Sequence, residues 1–170
     1  MNSKTIWKIQ FNRFRNFHLH FYHIIFISIL IFPIIKLVTG IVIPPNLWDG
    51  MTYHLPRIFH WLYQSNLSFF ETDNVRQNIS PYLGSIFMLH YYSLTHNDHF
   101  LFFNSFIPAM LSFYKIFVIV QRFKMSRLLH YYFLILSIFI PVIITSLDSV
   151  QENFYGLLLF LIGLNIFLNV

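Results

Sequence analysis

A short segment of this chain combines an acid, a histidine and an arginine at spacings that suit chemistry on a membrane surface. Asp49 follows Trp48, and His54 and Arg57 come soon after it. A carboxylate can accept a proton from an incoming hydroxyl, and a guanidinium can hold a phosphate through two parallel hydrogen bonds. One base and one phosphate clamp are what the displacement of a sugar from a lipid phosphate requires, because that leaving group needs no second acid to protonate it.

A turn and an amphipathic helix are the elements predicted to position these groups. Gly50 permits a tight turn, and Pro56 suits the first turn of a helix. Helical spacing then separates an apolar face from a polar face. The apolar face holds Leu55, Ile58, Phe59 and Leu62, and the polar face holds Arg57, His60 and Gln64. The pattern predicts a helix lying on the outer leaflet. A purely structural alternative is that the turn only caps this helix and that Arg57 binds lipid headgroups.

The composition of the whole chain favours a membrane protein. Of its 170 residues, 56% are hydrophobic and only 10% are charged, whereas about a quarter of the residues in a soluble domain are charged. A spanning helix needs about 20 apolar residues, and the segments 21–43, 100–120, 128–147 and 154–170 approach that length. The apolar segment 81–95 has 15 residues, which predicts an interfacial or re-entrant helix. The predicted fold is an all-α, polytopic transmembrane bundle of about four spans, with an outer amphipathic first loop over residues 44–99.

The distribution of charge predicts the orientation of these spans, because cytoplasmic loops collect Lys and Arg. If segment 81–95 does not cross the membrane, seven basic residues fall on one side and all six acids on the other. The basic residues are Lys4, Lys8, Arg13, Arg15, Arg122, Lys124 and Arg127, and the acids are Asp49, Glu71, Asp73, Asp98, Asp148 and Glu152. We therefore expect a multi-pass protein of the cell membrane with a cytoplasmic N-terminus. The net charge of +5 comes with no nucleic-acid motif, so nucleic acid is not an expected partner.

Three motifs carry a resemblance to a known class of enzymes. They are Trp48-Asp49-x-x-x-Tyr53-His54-Leu55-Pro56-Arg57, His60-Trp61 and Arg76-Gln77-Asn78-x-Ser80-Pro81. This pattern resembles the first outer loop of bacterial membrane glycosyltransferases with the GT-C fold, and it is similar to protein O-mannosyltransferases and lipid A aminoarabinose transferases. The likeness covers roughly residues 36–160 and is strongest over residues 48–57.

The resemblance implies a role for each matching residue. Asp49 would be the catalytic base, and a polyprenyl-phosphate-linked sugar in the membrane lipid would be the donor. Arg57 or Arg76 would contact the donor phosphate, while Tyr53 and His54 would shape the donor site.

A second outer motif of the same family corresponds here to residues 149–153, which read Ser-Val-Gln-Glu-Asn. The position of the family's acid holds Asn153, and Glu152 stands one residue earlier. Adjacent helical residues point in directions about 100° apart, so Glu152 is not expected to substitute directly. No cofactor is firmly expected at this motif, and a divalent metal stays an open option.

The sequence stops inside the apolar segment 154–170. We therefore expect that these residues form the N-terminal part of such an enzyme, lack its C-terminal half and are inactive alone. One alternative is a non-catalytic membrane protein, either a fragment or a subunit that packs against other helices. Another is a small transporter, for which Lys36 is the one serious intramembrane candidate, with no visible charged partner.

Overall fold

The computed structural model describes residues 24, 27, 31–123 and 125–169, which are mainly helical and include no strand. The all-α prediction is confirmed for this part of the chain. The helices are α1 (Ile31–Val42), α2 (Leu55–Gln64), α3 (Arg76–Ile79), α4 (Leu83–Thr95), α5 (Phe103–Val120), α6 (Arg127–Ile138), α7 (Pro141–Ser146) and α8 (Asn153–Phe167). A π-helical turn, Gly50–His54, leads into α2, and a 3-10 turn, Asp98–Phe102, leads into α5. The basic residues Lys4, Lys8, Arg13, Arg15 and Lys124, on which the predicted orientation partly depends, lie outside the described residues.

Contacts between helix ends define the course of the chain. The ring Nε2 of His130 lies 3.0 Å from the carbonyl oxygen of Val120, which joins the end of α5 to the beginning of α6. The hydroxyl of Tyr155, near the start of α8, donates a 3.0 Å hydrogen bond to Asn104 near the start of α5. Helices α5 and α8 therefore pack side by side and run in the same direction, with α6 and α7 as the return.

Helix α1 ends where α5 and α8 begin. Gly40 in α1 contacts the ring of Phe102 so closely that a Cβ atom would not fit. The hydroxyl of Thr39 donates a 3.1 Å hydrogen bond to Asp148, in the segment between α7 and α8. The loop that contains α2, α3 and α4 lies at this same end, and it brings Asp49 to the end of the bundle that also holds Glu152. That both acids face the outer side of a membrane stays a prediction.

One stretch among the described residues is long and apolar enough to cross a membrane. The helical segment Asp98–Val120 has 23 residues and contains an 18-residue window with a mean hydropathy of 1.6. The segments Ile31–Val42, Leu129–Ile138 and Asn153–Phe167 are shorter apolar helices. Of the roughly four predicted spans, the described residues thus provide one of full length.

The prediction of one continuous helix over residues 128–147 is wrong. Helix α6 ends at Ile138 and α7 begins at Pro141, with Ile140 in an extended conformation (φ −62°, ψ 126°). Proline has no backbone N–H and disfavours helical backbone angles at the preceding residue, which explains the break. The short helix predicted over 81–95 is confirmed as α4, with 13 residues.

Two apolar clusters hold this arrangement together. The first lies beneath the loop between α1 and α5 and contains Leu55, Ile58, Trp61, Phe70, Met88, Leu101 and Val150. The second lies among α5 to α8 and contains Ala109, Phe113, Ile138, Leu147 and Phe154. Full burial of one such large side chain contributes about 1.5–3 kcal/mol. Because Val150 belongs to the first cluster, the second motif is held against the loop that carries the first motif.

Candidate functional site

The first motif lies on a helical segment that includes a π-helical turn. The N–H of Leu55 donates to the carbonyl oxygen of Gly50, which closes the wider turn. Such turns occur frequently at functional sites. The predicted tight turn at Gly50 is wrong, because the segment is helical there and no described glycine has a positive φ. Gly50 instead packs against Val150 with no space for a Cβ atom. Its lack of a side chain lets the two motifs come into contact.

Asp49 and Arg76 form an open pair at the edge of the site. The Oδ1 atom of Asp49 lies 3.8 Å from Nη1 of Arg76, and the two side chains are 38% and 66% exposed. This distance is too long for a hydrogen bond, and such solvated pairs contribute about 0–1 kcal/mol. Both groups are therefore accessible to a ligand.

The prediction that Arg57 lies on an exposed polar face of α2 is wrong, because its side chain is completely buried. Residues 65–82 fold over the helix and present backbone oxygens to its guanidinium. Nε–H donates to Gln77 O at 2.6 Å, Nη1 donates to Pro81 O and to Ser85 Oγ at 2.9 Å, and Nη2 donates to Arg76 O at 3.0 Å. Four of the five N–H groups of a guanidinium are thus used inside the protein. The predicted phosphate contact is more consistent with Arg76 than with Arg57.

Glu152 turns inward and meets the first motif. Its side chain is 8% exposed, and Oε1 accepts a 2.5 Å hydrogen bond from Ser85 Oγ. The same oxygen lies 3.9 Å from Nη1 of Arg57 and 3.1 Å from Nδ1 of His54. The contact with His54 is close but not aligned as a hydrogen bond, and His54 Nδ1 and Glu152 Oε2 have no hydrogen-bond partner among the described residues. Burial lowers the pKa of Arg57, and the carboxylate of Glu152 partly opposes this change.

Asn153, at the family's acid position, points elsewhere. Its side chain is exposed, and Nδ2 donates a 3.3 Å hydrogen bond to Oε1 of Gln151. The difference in direction expected for two adjacent residues is therefore present. The carboxylate of Glu152, not the amide of Asn153, contacts the loop of the first motif.

A cavity of about 470 Å³ lies between the first motif and the start of α8. Its polar lining consists of Tyr53, His54, Ser80, Glu152, Asn153 and Tyr155. Its other residues are Pro81, Leu83, Gly156 and Leu159. This volume falls within the range of about 300–1,000 Å³ for small-molecule sites. The exposed surface of the cavity is mostly apolar, but polar side chains are present among its lining residues, which suits a ligand of mixed polarity.

Tyr53 connects the exposed pair with the cavity. Its ring packs on the ring of His54 at a centroid distance of 4.2 Å. Burial raises the pKa of Tyr53, and the nearby charge of Asp49 raises it further, while Arg76 opposes this effect. The phenol therefore keeps its proton at neutral pH and can donate a hydrogen bond.

The described residues contain no group of three His, Asp or Glu side chains that could hold a metal ion. At the cavity, His54 and Glu152 supply two potential ligands, which is fewer than a divalent ion normally takes from a protein site. The described part of the chain therefore contains no complete set of ligands for the divalent metal that the sequence left open.

Two features of the site were not anticipated from the sequence. Lys36 has a charged partner after all, because its Nζ lies 3.1 Å and 3.0 Å from the two carboxylate oxygens of Asp148. Ser85 links Arg57 to Glu152. The partners in the first pair are 112 positions apart, so no local pattern marks it. Ser85 had a weak signal, since it is a polar residue that follows Gly84 within the apolar segment 81–95.

Comparison of the chain with protein-family models, with curated proteins and with solved structures finds no match.

Proposed function

We propose that this chain is the N-terminal part of a polytopic membrane glycosyltransferase of the GT-C type. It would transfer a sugar from a polyprenyl-phosphate donor to an acceptor at the outer face of the membrane. The observation that carries the proposal is the exposed pair of Asp49 and Arg76 beside the cavity that Tyr53 and His54 line. A base, a cation for phosphate and a cavity of suitable volume are thus adjacent.

In the proposed reaction, Asp49 accepts the proton of the acceptor hydroxyl while the hydroxyl oxygen attacks the anomeric carbon of the sugar. The bond between that carbon and the phosphate oxygen breaks, and the lipid phosphate leaves with the electron pair. Arg76 then neutralises part of the phosphate charge. The attack comes from the side opposite to the leaving group, so the configuration at the anomeric carbon is inverted.

This reaction requires Arg76 to move when the donor binds. The base and the leaving phosphate must lie on opposite sides of the sugar, and a gap of 3.8 Å between Asp49 and Arg76 leaves no space for a sugar ring. Arg76 is 66% exposed and its contact with Asp49 is weak, so a phosphate can draw the guanidinium away at little cost.

The membrane part of the proposal is supported by apolar side chains on the outside of the helices. Those of α1 and α8 with more than half of their surface exposed include Ile34, Ile35, Val38, Val42, Leu159, Phe160, Ile166 and Phe167. Apolar surface of this kind marks contact with lipid or with another protein. We propose that the segment containing α1, then α5, the broken pair α6–α7, and α8 each cross the bilayer.

The substitution Asp49→Asn tests the proposed base. We expect it to abolish sugar transfer in membranes that contain the complete gene product, because an amide cannot accept the proton. Binding of undecaprenyl phosphate to the purified protein should not be weakened, because Asp49 competes with the phosphate for Arg76. Asp73→Asn is the matched control, since Asp73 is an exposed acid of the same loop.

Transfer is measured as radiolabelled sugar passing from undecaprenyl-phosphate glucose into the acceptor fraction of the membranes. Normal transfer by the Asp49→Asn protein would exclude Asp49 as the base. If neither the wild-type nor the variant protein binds a polyprenyl phosphate, the alternative of a non-catalytic membrane protein is favoured.

A further inference from the structure

We infer that His54 and Glu152 form a subsite that binds two neighbouring hydroxyl groups of the sugar and excludes the phosphate. The inference rests on the proposed function and adds the orientation of the donor in the cavity. The sugar ring lies at the His54–Glu152 end, and the phosphate lies outside, at Arg76.

The first step concerns the hydrogen-bonding state of His54. Its Nδ1 lies 3.1 Å from Oε1 of Glu152. A lone pair on Nδ1 would face a negatively charged oxygen, so the carboxylate favours the tautomer with the proton on that nitrogen. The other ring nitrogen, Nε2, is then an acceptor, and His54 is one of the residues that line the cavity.

The second step concerns the other oxygen of Glu152. Oε1 accepts from Ser85, whereas Oε2 is buried and has no partner within the described part of the chain. An unpaired buried carboxylate oxygen is unfavourable, because it has lost its hydrogen bonds to water. A ligand that donates a hydrogen bond to Oε2 would remove this cost.

Both residues line the cavity, and neither Nε2 in this tautomer nor the unpaired Oε2 carries a hydrogen to donate. A pair of neighbouring hydroxyl groups supplies two hydrogens and matches them. A phosphate at neutral pH supplies none, and its charge would be repelled by Glu152. The guanidinium of Arg57 does not reverse this preference, because it is fully buried and its N–H groups are directed to backbone oxygens and Ser85.

Binding constants for two lipids test the inference. The probes are undecaprenyl-phosphate glucose and undecaprenyl phosphate, each titrated into the full chain purified in detergent. We expect wild type to bind the glucose-bearing lipid about tenfold more tightly, which corresponds to one or two net hydrogen bonds. His54→Ala and Glu152→Gln should each remove most of this difference, because the glucose-bearing lipid loses hydrogen bonds to its hydroxyl groups in either variant. His54→Gln, which can place an amide oxygen near the Nε2 position, should retain part of it.

A second pair of variants tests where the sugar binds without changing His54 or Glu152. Gly156 lines the cavity, and a Cβ atom there would have no neighbour within 4 Å. Gly156→Leu therefore adds an apolar side chain at a position where the Cβ atom has space, and it should weaken binding of the glucose-bearing lipid about tenfold or more. Gly163 has equally open surroundings on the same helix but does not line the cavity. Gly163→Leu is the matched control and should leave both constants unchanged.

Each outcome distinguishes the inference from the proposed function. If wild type binds both lipids equally, or if His54→Ala weakens both by the same factor, the subsite is refuted and the phosphate contact stands. Equal effects of Gly156→Leu and Gly163→Leu on the glucose-bearing lipid would place the sugar elsewhere. If wild type binds neither lipid, the proposed function fails together with the inference.

Discussion

Replacing Arg57 with methionine should destabilise the folded protein more than any substitution on the surface of the site. The guanidinium is fully buried, donates four hydrogen bonds and lies 3.9 Å from Glu152. Removing one partner of a buried ion pair costs about 3–5 kcal/mol, because the other charge stays buried without compensation. We therefore expect Arg57→Met to lower the free energy of unfolding by about 3–5 kcal/mol.

Two further variants separate charge from hydrogen-bond geometry. Arg57→Lys keeps the positive charge but presents its three N–H groups from one nitrogen, so it cannot reach acceptors arranged around a planar fork. A loss of about 1.5–3 kcal/mol is expected for this variant. Adding Glu152→Gln to Arg57→Met should restore about 1 kcal/mol or more, because a neutral amide replaces the uncompensated carboxylate.

The assay is a urea titration of the protein in detergent micelles, followed by circular dichroism and tryptophan fluorescence. Arg76→Met is the control, because Arg76 is 66% exposed and its loss should change the free energy of unfolding by no more than about 0.5 kcal/mol. If Arg57→Met costs no more than Arg76→Met, the guanidinium does not hold the loop to the helix. Its predicted contact with a phosphate would then regain support.

Two other substitutions test how the second motif is positioned. Lys36→Met removes the partner of Asp148, whose side chain is 24% exposed, and should lower the free energy of unfolding by about 1–2 kcal/mol. The double variant in which the two residues are exchanged, Lys36→Asp with Asp148→Lys, should recover much of this loss in the same urea titration. If it recovers none, the two charges do not interact. Gly84→Ala places a Cβ atom against the side chain of Glu152 and should cost about 1–3 kcal/mol. Gly163→Ala is the control, because its Cβ atom meets no atom within 4 Å, and it should be neutral or slightly stabilising in thermal melts followed by circular dichroism. Equal melting temperatures for the two alanine variants would contradict the close packing at Gly84.

Several predictions from the sequence were correct because the signals behind them are local. The apolar segment 81–95 and the helical spacing after Pro56 predicted α4 and α2, and both are present. The break before Pro141 was also a local signal, although the long apolar run around it suggested one continuous helix. About four spans stay a prediction, since one described helix has the full length.

Predictions about side-chain environment were less reliable. Helical periodicity placed Arg57 with the polar residues of α2, yet residues 65–82 cover it. Periodicity describes which side of a helix a residue occupies, but it does not show which segment will pack there. The partner of Lys36 was missed for the same reason.

The sequence by itself determined the helical class of the chain, its apolar segments and the motif that contains Asp49 and Arg57, because these properties depend on residues close along the chain. Only the tertiary structure decided that Arg57 is internal, that Arg76 is exposed beside Asp49, and that Glu152 faces His54. These arrangements arise when the loop between α1 and α5 packs against the start of α8. They depend on contacts between distant residues that no local pattern encodes.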